Sequence, residues 1–205
     1  LAVTTFPDFG LTGAGGSGGR YVLDIFAIDG IVLGLGDDDS AMVGLGFSFP
    51  YQGADWTEVY VNSNGNLTFG SGDTDFSESV SEFLSDQPRI APLWDDLSPN
   101  QGGIVSVEYG AGSATISFVD VPEFLAGTTN TFSVTMNNDG TVNVEYGGIA
   151  ALDALVGVTE GGGAADPGET DLSAGGGFSA NGTTYEQFAG GGDDFDLDLS
   201  TLVFS

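Results

Sequence analysis

Carboxylates are the side chains through which this sequence could do chemistry. The 205 residues include 30 Asp and Glu, two Arg, and no Lys, His or Cys, which gives a formal net charge of −28. Two groups of adjacent carboxylates stand out, GDDDS (36–40) and the WDD of PLWDDL (92–97). Ca²⁺ prefers carboxylate and carbonyl oxygens and takes six to eight of them. The candidate calcium ligands are Asp37, Asp38, Asp39, Asp95 and Asp96.

A purely structural role is the favoured alternative for both carboxylate groups. Asp95 and Asp96 can cap a turn by accepting backbone N–H groups, and Asp37–Asp39 can form a solvated acidic turn before a strand. Neither group lies in an EF-hand loop, because the spacing of ligands in such a loop does not occur. On this interpretation no cofactor is required, and Ca²⁺ is the one cofactor that the residues would allow.

The absent residue types exclude most classes of enzyme. Without His there is no Ser-His-Asp triad and no usual zinc or haem ligand, and without Cys there is no thiolate nucleophile. Without Lys there is no Schiff base, no P-loop lysine and no Lys–Asn crosslink. A glycoside hydrolase with two carboxylates about 5–10 Å apart is the distant alternative, but 30 acidic residues would meet that spacing by chance. We predict that the protein is not an enzyme.

The charge also restricts the partners and the location. Nucleic acid and anionic membranes are unsuitable partners, because the cations that neutralise phosphate are missing. No run of about 18 uncharged apolar residues occurs, so we expect no membrane insertion. The absence of Lys and the Gly-, Thr- and Asn-rich strands favour an extracellular or cell-surface location over an acidic cytosolic protein of a salt-adapted organism.

The segment QPRIAPLWDDLSP (87–99) contains an unusual combination of residues. It holds one of the two arginines, Arg89, and one of the two tryptophans, Trp94. Its prolines favour an extended backbone, and Ile90, Leu93 and Trp94 are predicted core residues. Arg89, among so many carboxylates, is predicted to form a structural ion pair. The segment as a whole is interpreted as a structural corner.

Alternation of apolar and polar residues with a period of two predicts most of the remaining structure. Asn-Gly and Asp-Gly turns mark hairpins at 58–70 and 130–147, since both central residues of such turns need positive φ. A third pair of strands is predicted from 104–110 with 114–121, and a further strand at 41–49. The segment 191–204 alternates Phe and Leu with Asp and is predicted to be an amphipathic strand.

The fold class that follows is all-β. We predict a β-sandwich or Greek-key arrangement of roughly a dozen short strands, with one short helix near 76–86. Residues 1–20 are predicted to be an N-terminal strand with a glycine-rich tether, and residues 21–205 a single domain. The strand of Ala2, Val3, Thr4, Thr5 and Phe6 could add to the sheet edge of a neighbouring copy or complete its own sandwich.

Two N-x-Ser/Thr sequons give candidate glycosylation sites at Asn66 and Asn181. Asn66 falls in a predicted strand, with its side chain expected to point outward.

The middle of the chain resembles the nidogen-like (NIDO) extracellular domain over residues 37–160. The resemblance depends on a fixed order of segments, namely an apolar strand, a V-x-x-N-G-x-L-x-F hairpin, an I-A-P-aromatic-W type segment, an N-T-F strand and a D-G hairpin. The corresponding segments are DDDSAMVGLGFSFPYQG (37–53), VYVNSNGNLTFG (59–70), PRIAPLWDDL (88–97), GGIVSVEYG (102–110) and NTFSVTMNNDGTVNVEYGGI (130–149). Leu93 stands where the family often has an aromatic residue. The resemblance implies an adhesive or matrix role in multidomain surface proteins, and it implies no catalytic residues.

Two functions follow from these observations. The first is a structural or adhesive subunit of a non-covalent extracellular assembly such as a filament, sheath or surface layer, with further copies of the chain as partners. The alternative is a calcium-assisted adhesion module of a larger surface protein, with other surface proteins or glycans as partners.

Overall fold

The structure is a computed structural model that describes residues 30–205, and it confirms the all-β sandwich. The strands are β1 (Ile31–Leu33), β2 (Ser40–Tyr51), β3 (Ala54–Asn62), β4 (Asn66–Thr68), β5 (Arg89–Trp94), β6 (Ile104–Gly110), β7 (Ser113–Pro122), β8 (Thr129–Asn137), β9 (Val142–Tyr146), β10 (Asp153–Thr159), β11 (Thr184–Ala189) and β12 (Thr201–Phe204). The helix α1 spans Val80–Ser85, and a 3₁₀ turn spans Pro99–Gln101. The predicted strand Ala2–Phe6 and its tether lie outside the described residues.

The twelve strands form two antiparallel sheets of six. Sheet I has the order β1-β6-β7-β8-β9-β12, and sheet II has the order β11-β10-β5-β4-β3-β2. After β1 of sheet I, the chain builds β2–β5 of sheet II and then the β6–β9 meander of sheet I. It returns to sheet II with β10 and β11 and ends in sheet I with β12. Short hairpin connections explain why consecutive strands are usually neighbours.

The predicted hairpins supply the core between the sheets. Val134 pairs with Val144 and Met136 with Val142 across β8 and β9, and all four side chains are buried. Because alternate residues of a strand share a face, each hairpin presents one apolar face to the opposite sheet. Full burial of such a side chain contributes about 1.5–3 kcal/mol.

Strand β5 contains the segment that the sequence marked as a corner, and it is a central strand of sheet II. It pairs with β4 on one side and β10 on the other, and all six of its residues are buried. Ile90 and Leu93 enter the main core, whereas Trp94 lies on the outer face beside α1, with an exposed fraction of 0%. The pairing register with β10 shifts opposite Pro92, which has no N–H to donate to a ladder. The predicted burial of Ile90, Leu93 and Trp94 is thus confirmed.

The predicted strand at 191–204 is wrong over most of its length. Only Thr201–Phe204 is a strand, paired with β9. Leu199 has a left-handed backbone with φ of 57° and a side chain that is 78% exposed, so it cannot continue the alternation of Phe195 and Leu197. The alternating pattern is local, and the turn at Leu199 overrides it.

Candidate metal centre

The turn between β1 and β2 holds the first group of carboxylates. Asp39 accepts hydrogen bonds from the N–H of Gly36 on Oδ2 (2.9 Å) and from its neighbour Ser40 on Oδ1 (2.8 Å). The backbone of Asp39 is joined to Ser63 by two hydrogen bonds, Asp39 N–H to Ser63 Oγ (2.9 Å) and Ser63 N–H to Asp39 O (2.8 Å). Asp39 therefore shapes this turn and attaches it to the next one.

The turn between β3 and β4 links those carboxylates to the end of β5. Gly65 has φ of 71°, and a Cβ there would lie 1.9 Å from the carbonyl oxygen of Leu93, so only glycine fits. Leu93 donates its N–H to Gly65 O (3.2 Å), and Asp95 donates its N–H to Asn64 O (3.3 Å). The residue after Asp95 is consequently brought to the turn that carries Asp37 and Asp38.

Three carboxylates converge at this junction, and we call Asp37, Asp38, Asp96 and the neighbouring Asn64 the metal centre. Asp37, Asp38 and Asp96 each offer one oxygen, and these atoms all lie within 4.8 Å of one another. Within residues 30–205, no other group of three or more Asp or Glu side chains brings its oxygen atoms this close together. Partial burial, followed by the negative charges of Asp38 and Asp37, raises the pKa of Asp96. The repulsion that raises this pKa would be removed by a bound cation.

Two oxygen atoms at the metal centre are buried without a hydrogen-bond donor. Asn64 is only 1% exposed, and its Nδ2 donates to Asp38 Oδ1 (3.0 Å) and to Asp75 O (3.1 Å). Because both neighbours of Nδ2 are acceptors, the orientation of the amide is determined, and Asn64 Oδ1 is left without a donor. Asp37 Oδ1 is also buried and unpartnered. An unsatisfied buried acceptor costs about 1–3 kcal/mol, and a cation in contact with such an oxygen would offset that cost.

Asp95 was predicted as a ligand, but its carboxylate is not among the three that converge. Its Oδ1 accepts the N–H of Asp96 (2.7 Å), and its Oδ2 is buried without a partner. Burial, and then the charge of Glu123, raises the pKa of Asp95 to about 8. Glu123 Oε1 is buried and unpartnered as well. Asp95 and Glu123, which we call the acid pair, are therefore distinct from the three carboxylates that converge.

A second polar cluster, which we call the arginine cluster, lies on the outer face of sheet II. Arg89 is fully buried and forms an ion pair with Asp73, and its Nη1 donates to Asn66 Oδ1 (3.3 Å). The Arg89 Cζ lies 3.8 Å from the centroid of the Trp94 ring, a cation–π arrangement. Its Nε alone has no acceptor. The predicted structural ion pair of Arg89 is confirmed.

A match to a known family spans the strands and turns that build both clusters. The NIDO-related family matches residues 26–166, about two-thirds of the chain. The chain belongs to the NIDO-related family. The resemblance seen over residues 37–160 is therefore confirmed, and NIDO-related domains are typical of extracellular proteins. Neither the curated proteins nor the solved structures include a match to the chain.

No helix in the described part of this NIDO-related chain is long and apolar enough to cross a membrane.

The arginine cluster of the NIDO-related domain also explains why the sequon at Asn66 is inaccessible. The Asn66 side chain is fully buried, and its Oδ1 accepts from Asn62 Nδ2 (2.8 Å) as well as from Arg89. Its strand does not face solvent, because the loop that follows β4 covers it; Asp73 N–H, for example, donates to Asn62 Oδ1 (3.0 Å). The side chain points away from the core as expected, but this loop buries it, so a glycan could not be attached to Asn66 in the folded domain. Asn181, the other sequon, is exposed.

Proposed function

We propose that this NIDO-related chain is a secreted, non-catalytic adhesion domain that binds Ca²⁺ at the metal centre. The observation that carries the proposal is the convergence of Asp37, Asp38 and Asp96 next to the unpartnered oxygen of Asn64. The family supports an extracellular location, where Ca²⁺ is abundant and modules bind it with dissociation constants of about 10⁻⁴–10⁻³ M.

The type and origin of the ligands favour Ca²⁺ over Mg²⁺. Mg²⁺ requires nearly ideal octahedral geometry and usually keeps several waters, whereas Ca²⁺ accepts six to eight oxygens in a flexible arrangement. The three carboxylate oxygens lie within 4.8 Å of one another, close enough to contact a single Ca²⁺ ion. They also come from two separate segments, which favours the ion with the more flexible coordination.

A bound ion would have a mechanical role in addition to neutralising charge. It would crosslink the turn of Asp37 and Asp38 to the segment after β5, and the Asn64 turn lies between them. Without an ion these segments are joined by backbone hydrogen bonds while their carboxylates repel one another. Calcium would therefore rigidify this end of the sandwich, as an adhesive surface under load requires.

Calcium-specific stabilisation is the test of this function. We expect Ca²⁺ to raise the melting temperature more than Mg²⁺ at the same concentration, and Asp96→Asn to abolish the difference. The matched control is Asp55→Asn, which makes the same change in an exposed residue of β3. Asp55 lies seven residues from Asn62 along β3, about 23 Å away, so this variant should behave like the wild type. Identical melting curves in chelator, Mg²⁺ and Ca²⁺ would remove calcium from the function.

Assembly of many copies is the second candidate, and the open edge of sheet II favours it. Strand β2 is twelve residues long and, within residues 30–205, has a strand partner on one side only. A long edge strand offers unpaired N–H and C=O groups to an added strand. Ala2–Phe6 of a neighbouring copy is the proposed occupant.

Deletion of residues 1–19 tests assembly, with size-exclusion chromatography and negative-stain imaging as the measurements. If strands are exchanged, the truncated chain stays monomeric and binds an added LAVTTF peptide. Assembly of the truncated chain at the rate of the full chain would show that this strand is not used.

A further inference from the structure

Two exposed aromatic rings lie beside the metal centre. Phe76 is 51% exposed and Phe124 is 42% exposed, and both line a cavity of about 140 Å³ together with Asp37, Asp38 and Asp96. Exposed aromatic residues next to convergent polar groups are the usual composition of a ligand site. The site of the ion and the apolar surface are therefore parts of the same cavity.

The segments that hold the carboxylates also hold the rings. Asp75, next to Phe76, accepts hydrogen bonds on its carbonyl from Asn64 Nδ2 (3.1 Å) and Trp94 Nε1 (3.4 Å). Phe124 donates its N–H to the carbonyl oxygen of Asp96 (2.7 Å). Phe124 is thus bonded directly to Asp96, and Phe76 follows a residue bonded to Asn64, so a ligand would meet a preorganised surface.

An ion at this centre would have coordination positions to spare. Three carboxylates and Asn64 Oδ1 supply four oxygens if each binds through one atom, while Ca²⁺ takes six to eight. Two to four positions remain, and the cavity between Phe76 and Phe124 adjoins the same carboxylates. Water would fill these positions in the free protein, and ligand oxygens would replace it on binding.

Charge restricts the ligand to a neutral one. Three carboxylates with one Ca²⁺ leave a net charge of −1, on a chain of net charge −28, so an anionic ligand would be repelled. A cationic group would meet the Ca²⁺ ion itself. A ligand with adjacent hydroxyl groups supplies two oxygens without adding charge.

We propose that the open side of the metal centre binds a neutral carbohydrate. Two adjacent hydroxyl oxygens of one sugar complete the coordination of Ca²⁺, and the apolar C–H face of that sugar packs on Phe76 and Phe124. This proposal rests on the calcium-binding function proposed above and names the ligand of the same site.

The neighbouring surface fits a chain of more than one sugar. A groove of about 490 Å³ adjoins the cavity, sharing Asp38 and Phe76 and adding Asp73, Thr74 and Asp75. Carboxylates accept hydrogen bonds and hydroxyl groups donate them. Asp73 is already paired with Arg89, so the carboxylate of Asp75 is the acceptor that this surface offers to the hydroxyl groups of a second sugar.

Binding to an array of neutral glycans in Ca²⁺ and in chelator tests the proposal, followed by calorimetry with the best sugar. We expect the protein to bind sugar in Ca²⁺ and not in chelator. The affinity for the sugar should be about three- to tenfold weaker in Phe76→Ala and in Phe124→Ala. The Ca²⁺ affinity of these two variants, measured by titration calorimetry without sugar, should be unchanged, since neither ring is a ligand. Leu199→Ala, which truncates another exposed apolar side chain, is the control and should bind sugar normally.

The possible failures are distinguishable. Ca²⁺ binding without retention of any neutral glycan would overturn the carbohydrate proposal and leave the calcium function intact. Loss of Ca²⁺ binding itself would overturn both. Equal sugar binding in chelator, or preferential binding of anionic glycans, would contradict the coordination by hydroxyl groups.

Discussion

Two asparagines two residues apart show how the metal centre differs from the arginine cluster. Asn66 Oδ1 accepts hydrogen bonds from Asn62 and Arg89, whereas Asn64 Oδ1, equally buried, accepts none. In the arginine cluster the countercharge is internal, because Arg89 lies between Asp73 and Asp86. At the metal centre three carboxylates meet without a basic side chain. The arginine cluster contains its own donors and is structural, whereas the Ca²⁺ ion proposed above would supply the countercharge that the other cluster lacks.

Composition explains why only one of the two clusters is complete. The whole chain has two arginines and no lysine, and Arg89 is the one basic residue in the described part. Burial lowers the pKa of Arg89, and the charge of Asp73 opposes that shift. Arg89 is engaged with Asp73 and Trp94, and residues 30–205 contain no other basic side chain for their remaining carboxylates.

Removal of Trp94, the aromatic residue of the arginine cluster, should lower the stability of the protein most. Trp94→Ala is expected to lower the free energy of unfolding by about 3–5 kcal/mol, since it deletes a fully buried ring and uncovers the Arg89 guanidinium. Urea unfolding measures this loss, which should be the same with and without Ca²⁺. An unchanged stability with impaired ligand binding would make Trp94 a surface residue of the site and reverse the comparison.

Removal of the positive charge of Arg89 should cause the second-largest loss of stability. Arg89→Met is expected to cost about 3 kcal/mol, the low end of the range for breaking a buried pair, because Asp73 is only partly buried and can regain water. Arg89→Lys is the matched control, and it should recover part of the stability because it keeps the charge without the planar contact to Trp94. A cost below about 1 kcal/mol in urea unfolding would show that this pair does not organise the loop over sheet II.

The acid pair of Asp95 and Glu123 should make the calcium-free protein less stable as the pH rises. The folded state raises the pKa of Asp95 to about 8 from its usual 3.8, and it raises the pKa of Glu123 as well. An acid whose pKa is higher in the folded state stabilises the fold below its unfolded pKa, and this contribution is lost as the pH rises from about 4 to 8.

Asp95→Asn should flatten this dependence in chelator, as measured by unfolding from pH 4 to pH 9. Asp55→Asn, the exposed control, should keep the slope of the wild type. The same steep slope in Asp95→Asn would assign the effect to the net charge of the whole chain.

The smallest effect on stability is expected at the metal centre itself. In chelator, Asp38→Asn should leave the melting temperature unchanged or raise it slightly, because it removes repulsion from Asp37 and Asp96 while keeping an oxygen for Asn64. With Ca²⁺ present, the variant should fail to gain the stabilisation of the wild type. A large loss of stability in chelator would mean that the centre, like the arginine cluster, is structural.

Several elements could be predicted because their signals are local. The Asn-Gly and Asp-Gly hairpins and the buried faces of their strands follow from turn chemistry and from alternation with a period of two. The ion pair of Arg89 followed from the scarcity of basic residues. Strands β10 and β11 were not predicted. In β10 nearly all residues are buried, so its sequence shows little alternation of apolar and polar residues.

The metal centre was predicted only in part. The sequence offered five aspartates, and three of them converge; Asp39 and Asp95 are directed to backbone N–H groups instead. Asn64 was interpreted as a turn residue only, because the S-N-G pattern is typical of a hairpin whether or not the amide faces a ligand. Phe76 was assigned to the predicted helix, which in fact begins at Val80.

The sequence by itself determined the sandwich, the family and the shortage of positive charge, since these depend on periodicity, motif order and composition. The tertiary structure alone decided which carboxylates meet. Asp38 and Asp96 are 58 residues apart, and they are joined only because the glycine turn at Gly65 packs against Leu93 and binds the end of β5. Turn chemistry acts over a few residues, whereas the meeting of distant turns depends on the register of strands across a whole sheet.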